Sequence, residues 1–236
     1  MPLKKAKGNM YQGWVTHTHS HLVGACPHAC SYCYVQAMAR RFPNLAERAS
    51  GPVTLLYSEL FVPYGHGKTI FVEHLNDLFA EAVPSAFIRE ILAHCHRCPR
   101  NTYVLQTKNP CRYAEFRQMI PANSILGTTI ETNRHYGTIM AKSPTPARRY
   151  EAMVCLDWAK KFVTIEPILD FDLGPLVDWI RLIRPALVNI GADSKGRGLP
   201  EPSPAKVRAL IEALKAAHLD VRLKSNLARL LPAGSR

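Results

Sequence analysis

The 236-residue chain is 47% hydrophobic and 20% charged, ordinary globular usage that excludes disordered, collagen-like and low-complexity classes. Its length suits one core of α/β size, so residues 1–236 are expected to form a single domain, with a basic segment at 1–13 and a tail at 227–236. Lysines and arginines number 30 against 18 aspartates and glutamates, and the resulting +12 suits either a polyanionic partner such as nucleic acid or a solvated basic surface.

The first segment, MPLKKAKGNMYQGW, lacks the apolar stretch of an export signal, and no later apolar run reaches the roughly 18 residues that span a bilayer. A cytoplasmic protein with no membrane partner is expected. Strand-forming runs then recur at Trp14 to Leu22, Thr69 to Leu75, Thr102 to Lys108, Ser124 to Thr132, Phe162 to Ile168 and Leu187 to Ala192. A weaker seventh, Asp220 to Lys224, follows PAKVRALIEALKAAHL, whose apolar residues recur at helical spacing behind the cap signals Ser203 and Pro204. Between the first and second runs, Pro43, Gly51, Pro52, Pro63, Gly65 and Gly67 break the chain into an excursion over one face. This alternation predicts an α/β fold with a parallel sheet, and the number of units fits a full or partial β/α barrel better than a long open sheet.

Seven cysteines in a chain expected to stay in the cytoplasm argue against a disulfide framework and for thiolate metal binding or redox chemistry. Within CPHACSYCY, Cys26, Cys30 and Cys33 form C-x3-C-x2-C directly after the first predicted strand. Soft thiolates select iron–sulfur clusters, zinc or Cu(I), and three protein ligands leave one metal position open. A zinc knuckle completed by His28 or by one of His17, His19 and His21 is the alternative. Those last three alternate along the first strand and share a face, where they are expected to be hydrogen-bonded rather than metal-bound.

The cysteine spacing, with the aromatic Tyr32 just before the third cysteine, resembles the signature of the radical S-adenosylmethionine (SAM) superfamily. The segments FVEHLNDLF, VLQTKNP, LGTTIETN, VTIEPIL and VNIGADS are similar to successive strand ends of a phage-associated radical-SAM family of largely unassigned function, over about Trp14 to Asn226. The cysteine loop also resembles that of the spore photoproduct lyases and the DNA-repair-photolyase-like proteins grouped with them. The resemblance implies a partial (β/α)6 TIM-type barrel of the radical SAM kind, with the seventh run as an optional further strand. It also implies a [4Fe-4S] cluster on Cys26, Cys30 and Cys33, SAM on the fourth iron, and reductive cleavage of SAM to a 5'-deoxyadenosyl radical. A reductant such as flavodoxin or ferredoxin is the implied partner.

Ligands of β/α barrels gather at the C-terminal ends of the strands, and almost every predicted end here is polar. Carried over by position, Glu73 and Asp77 fall where the superfamily contacts the SAM amino group, and Thr129 and Glu131 where it meets the ribose. Glu166 and Gly191 to Asp193 would line the adenosyl and substrate region, with Tyr32 beside the adenine. Each carboxylate has a rival partner in Lys108, Arg134 or Lys195. Of the remaining cysteines, Cys95, Cys98 and Cys155 are expected on the face opposite the site. Cys111, after the third strand, is the candidate hydrogen-atom donor, since photoproduct lyases use a thiol in that role. The HCHRC pair with His94 or His96 is a weak zinc signal. Tyr11, Trp14, Tyr57, Phe61 and Tyr64 are candidates for stacking bases or for covering the barrel mouth.

The leading expectation is a radical SAM enzyme acting on a nucleic acid or nucleotide-like substrate. The alternatives are the same chemistry on a peptide or small metabolite, and a non-catalytic zinc or iron–sulfur binding module.

Overall fold

A computed structural model describes residues 3–7, 11, 13–194 and 196–231. Lys195, residues 232–236 of the expected tail, and positions 1, 2, 8–10 and 12 of the basic segment lie outside the described residues.

In chain order the elements are β1 (Lys4–Lys5), β2 (His17–His19), β3 (Leu22–Val23), α1 (Tyr34–Ala39), α2 (Pro43–Arg48), β4 (Thr54–Leu55) and a 3-10 turn (Tyr57–Phe61). There follow β5 (Thr69–Val72), α3 (Ser85–Arg97), β6 (Thr102–Thr107), a second 3-10 turn (Pro110–Tyr113) and β7 (Ser124–Thr129). The chain ends with α4 (Gly137–Met140), α5 (Pro146–Cys155), β8 (Lys161–Ile165), α6 (Leu173–Ile183), β9 (Leu187–Ile190), α7 (Pro204–Ala216), β10 (Val221–Leu223) and a 3-10 turn (Ser225–Leu230).

The main sheet runs β1-β2-β5-β6-β7-β8-β9-β10. All seven expected strands are present in it and pair in parallel. The sheet order has two ends, so the arc is open rather than a closed barrel. One edge is β1, a short antiparallel addition that the sequence did not announce. Its exposed Lys4 and Lys5 discourage pairing with another chain.

Each strand alternates between two cores, as the two-residue period of a pleated strand requires. Ile70, Val72, Tyr103, Leu105, Val163, Ile165, Val188 and Ile190 face the helices and join Ile88, Leu176, Val207 and Leu210 in the larger core. Phe71, Val104, Phe162 and Leu187 face the other way, onto Tyr11 and Val15 from the segment before β2. Gly127 makes room on this inner face, because a Cβ there would lie 2.1 Å from the Phe162 ring.

Helix α7 starts where its signals place it. Ser203 caps the helix by accepting from the Lys206 N–H at 3.3 Å, with Pro204 in the first turn; such a cap contributes about 1 kcal/mol. Its buried Val207, Leu210, Ile211 and Leu214 form one helical face, each stabilising by about 1.5–3 kcal/mol relative to exposure.

Candidate functional site

The cysteine loop leaves β3 through Gly24, whose φ of +99° and closeness to Pro52 O, 2.2 Å from an added Cβ, admit only glycine. Two backbone bonds, Gly24 N–H to Arg48 O at 2.7 Å and Ala25 N–H to Gly51 O at 2.9 Å, tie it to the excursion. The loop then turns twice. Ala29 donates to Cys26 O at 3.2 Å and Cys33 to Cys30 O at 3.1 Å, and Cys33 is the N-cap of α1.

Three parts of the fold clamp this loop. From the end of β5, Asp77 pairs with His28 Nε2 at 2.8 Å. From the α4 region, Ile139 O accepts from Ser31 N–H at 3.1 Å, and Lys142 N–H reaches His28 O at 3.0 Å. From beyond β9, the Arg197 guanidinium donates to Ser31 O and, at 3.0 Å, to Cys33 O.

All seven cysteines are free thiols, with Cys30 buried and Cys26 and Cys33 half-buried. Burial, and after it Asp77, pushes the Cys26 thiol up to about 12. Among the described residues, the one triad of His, Cys, Asp or Glu whose ligand atoms all lie within 4.8 Å does not include these cysteines. Three thiols on one loop are a soft donor set, and a cluster with several irons, each taking one thiolate, suits it.

Around the loop, strand alternation brings the inner-face positions of successive strands to one rim. Thr129 on β7 lies level with Thr164 on β8, which lies level with Asn189 on β9. Two residues further on stand Glu131, Glu166 and Gly191. The Tyr32 hydroxyl donates to Glu131, and Lys108 Nζ stands 5.3 Å from the Tyr32 ring centre. Glu131 and Arg149 are both fully buried and meet at 2.7 Å. Burial alone would raise the Glu131 carboxyl, but Arg149, Lys108 and the Tyr32 hydroxyl hold it below the usual carboxylate range.

Thr129 Oγ1 accepts from Gln106 Nε2 at 2.8 Å. Glu166 is held by Lys224 Nζ at 2.5 Å and Asn226 Nδ2 at 2.8 Å. A Cβ on Gly191 would fall 2.7 Å from Glu166 Oε1 and 3.0 Å from Asn226 Oδ1, so glycine keeps this notch open. Asn226 Oδ1 is buried there without a hydrogen-bond donor. A bound amino or hydroxyl group would satisfy it, which is the observation favouring SAM at this rim. Asp193 accepts from Arg197 N–H at 2.5 Å, and its carbonyl accepts from Arg229 at 2.9 Å.

Several expected roles shift. The strand alternation stops at Glu73, whose backbone turns left-handed with φ of 60°. Its carboxylate accepts from the His21 backbone and Nδ1, both at 2.6 Å, and from Leu22 N–H at 3.2 Å. Asp77 is spent as well, on His28, Thr107 Oγ1 at 2.6 Å and Lys108 N–H at 2.7 Å. Burial opposes its ionisation, yet His28, Thr107 and Lys108 together hold the carboxyl below its usual range. Asp77 thus braces the cysteine loop, and Glu73 braces the segment from His21 to Leu22 that leads into it.

Cys111 does not join the rim. The chain after β6 runs down the outside, and Cys111 lines a surface groove with Ala114, Arg117, Ala152, Cys155 and Asp157. Tyr11 is buried in the inner core, with Trp14 against Phe162 at 5.4 Å, and Tyr64 is buried beside His19. Of the aromatics proposed for stacking, Tyr57 and Phe61 are well exposed. In the HCHRC pair, Cys95 is fully buried and His96 Nε2 donates to Met119 O at 2.8 Å. His17 bonds Thr16 Oγ1 at 2.9 Å, whereas His19 and His21 are buried in hydrogen bonds.

Sequence reading missed Arg149, Arg197 and Tyr34, whose buried hydroxyl donates to His74 O. Arg149 had a legible signal, since it occupies the same helical face as the buried Pro146 and Met153. Arg197 lies in a glycine-flanked loop with no pattern to mark it.

Solved structures share this architecture. A spore photoproduct lyase with bound AdoMet and dinucleoside spore photoproduct superposes with a TM-score of 0.55 at 10% identity, covering 87% of this chain and 63% of that one. A second lyase structure, of a mutant with a single tyrosine-to-phenylalanine substitution, gives 0.60 at 8% identity over 89% of this chain and 76% of that one. SuiB of Streptococcus suis bound to precursor peptide SuiA gives 0.55 at 10% identity over 88% and 48%. All are radical SAM enzymes, and the shared feature is their fold. The chain spans under two thirds of the first lyase structure and about half of SuiB. No curated protein matches it. Residues 11–218 match the family described as "Protein of unknown function (DUF5131)", and the chain belongs to that family.

Proposed function

We propose that this chain is a radical SAM enzyme acting on a nucleic acid or nucleotide-like substrate. The observation that carries the proposal is the C-x3-C-x2-C loop of free thiols, clamped at the C-terminal rim of a parallel arc with the radical SAM fold. Cys26, Cys30 and Cys33 would hold a [4Fe-4S] cluster. When bound, that cluster supplies the electron that splits SAM into methionine and a 5'-deoxyadenosyl radical.

The chain's own residues bind and orient. The His28–Asp77 pair and Arg197 fix the loop against the strand ends. Thr129, Glu131 and Tyr32 on one side, and Glu166, Gly191 and Asp193 on the other, form the rim proposed to take SAM, with Asn226 Oδ1 as a waiting acceptor. The +12 charge favours a polyanionic substrate. Free cysteines suit a reducing cytoplasm, where a flavodoxin or ferredoxin would be the reductant. No helix of the described residues is long and apolar enough to cross a membrane.

The test is anaerobic reconstitution with iron and sulfide, then SAM and dithionite, with 5'-deoxyadenosine measured against a Cys30→Ala control. Release by the parent alone is expected. No cluster and no product, under conditions that activate a known radical SAM enzyme, would overturn the assignment. Oligonucleotide binding should weaken steeply with salt; salt-insensitive binding would remove the polyanion and favour a peptide, the ligand of the SuiB complex.

A further inference from the structure

Behind the cysteine loop, between β2 and α3, lies a buried cluster that the proposed radical chemistry does not use. His19, His21 and His94 each offer a ring nitrogen, and these atoms all lie within 4.8 Å of one another. The second nitrogen of each ring is already committed. His19 Nε2 donates to Glu59 at 3.1 Å, His21 Nδ1 to Glu73 at 2.6 Å, and His94 Nε2 to the Val62 carbonyl at 2.9 Å.

That commitment fixes the tautomers, because carboxylates and carbonyls only accept. The nitrogens left facing inward, His19 Nδ1, His21 Nε2 and His94 Nδ1, then carry lone pairs. The Tyr64 hydroxyl stands 2.8 Å from His19 Nδ1 and 3.1 Å from His21 Nε2, and has one hydrogen to give. His21 Nε2 and His94 Nδ1 lie 2.9 Å apart, and in the neutral tautomers so fixed neither nitrogen carries a hydrogen to share. Two lone pairs at that distance repel, and a cation between them turns the repulsion into attraction.

We propose that His19, His21 and His94 bind a structural zinc ion, with the Tyr64 oxygen at the fourth position. Imidazoles suit zinc, whose tetrahedral ligand atoms stand about 3.3 Å apart; the His21–His94 contact at 2.9 Å and the Tyr64 contacts at 2.8 and 3.1 Å are close to that spacing, and all three nitrogens lie within 4.8 Å of one another. A carboxylate or carbonyl behind every imidazole is the outer shell that orients metal-bound histidines. Two of those partners are carboxylates, Glu73 and Glu59, the latter also 4.0 Å from Arg48. The ion would staple the excursion, β2 and α3 into one base under the cysteine loop.

The test uses the full chain after its iron and sulfide have been loaded. Zinc is added, unbound metal is removed, and the metals are counted, with zinc-edge X-ray absorption reading the ligand atoms. The expected result is one zinc per chain with nitrogen and oxygen ligands only, retained by Cys30→Ala and lost from His94→Gln. Zinc should also raise the unfolding temperature of the parent by about 5–10 °C at a hundredfold excess over its Kd. The absorption spectrum is read on the parent, so it stands even if His94→Gln fails to fold. Sulfur in the zinc shell, zinc lost from Cys30→Ala, or a folded parent that takes up no zinc would overturn the proposal. In that last case the 2.9 Å contact is a hydrogen bond between the two rings.

Discussion

Replacing Glu131 by glutamine tests how the rim beneath Tyr32 is held together. Arg149 donates to Glu131 Oε2 at 2.7 Å, Thr129 O at 2.8 Å, Pro144 O at 2.7 Å and Ser143 Oγ at 3.0 Å. Of these acceptors only Glu131 is charged, and both members of the pair are fully buried. Glutamine keeps the shape but strands the guanidinium charge, which costs about 3–5 kcal/mol. At roughly 2–4 °C per kcal/mol for a chain of this size, the unfolding temperature should fall by about 6–20 °C at pH 7. Scanning calorimetry measures it. Replacing both partners, Glu131→Leu with Arg149→Met, should recover most of the loss, since no buried charge then remains. The sign with pH follows from a carboxyl held below its usual range: the stabilisation is complete above about pH 5 and disappears as pH falls through the lowered folded-state value. A fall of under about 2 °C at pH 7, or a deficit that persists unchanged in acid, would refute the account.

Gly191→Ala sets a Cβ 2.7 Å from Glu166 Oε1; it should weaken SAM binding at least about tenfold by calorimetric titration, while circular dichroism stays native, and unchanged binding would place SAM elsewhere. Asp77→Asn removes the charge that holds His28, so iron retained per chain after reconstitution should fall; full iron loading would mean the loop needs no such brace. Gly127→Ala drives a Cβ to 2.1 Å from Phe162 and should cost about 1–3 kcal/mol in urea unfolding. Adding Phe162→Leu should return part of that, and no recovery would mean that the Phe162 ring is not the obstacle.

The parallel strands were legible because β-branched and aromatic runs alternate with helical periods, and Ser203 with Pro204 marks α7 at the residue where it starts. The cysteine spacing was legible because loop chemistry is local. The fate of Glu73 and Asp77 was not. A carboxylate at a strand end meets backbone N–H groups and neighbouring histidines before it meets any ligand, and the left-handed turn at Glu73 decides which. Tyr11 and Tyr64 read as aromatics that stack bases or cover the barrel mouth because nothing near them in sequence says otherwise. The space that swallows Tyr11 is assembled from Phe71, Val104 and Phe162, on three different strands. Cys111 read onto the rim because it follows β6 closely, whereas in the structure it lies in a 3-10 turn beside Cys155.

The buried position of Tyr11 also constrains the order in which the molecule can assemble. Its hydroxyl donates to Gln106, 95 residues later, and lies 3.4 Å from Thr164, 153 residues later. At the roughly 5–20 residues per second of synthesis, the partner on β8 leaves the ribosome about 8–30 s after Tyr11 does. During that interval the inner face can offer Phe71 and Val104 but not Phe162, so the pocket around Tyr11 is incomplete. The floor around Tyr11 is therefore completed only once β8 has been made.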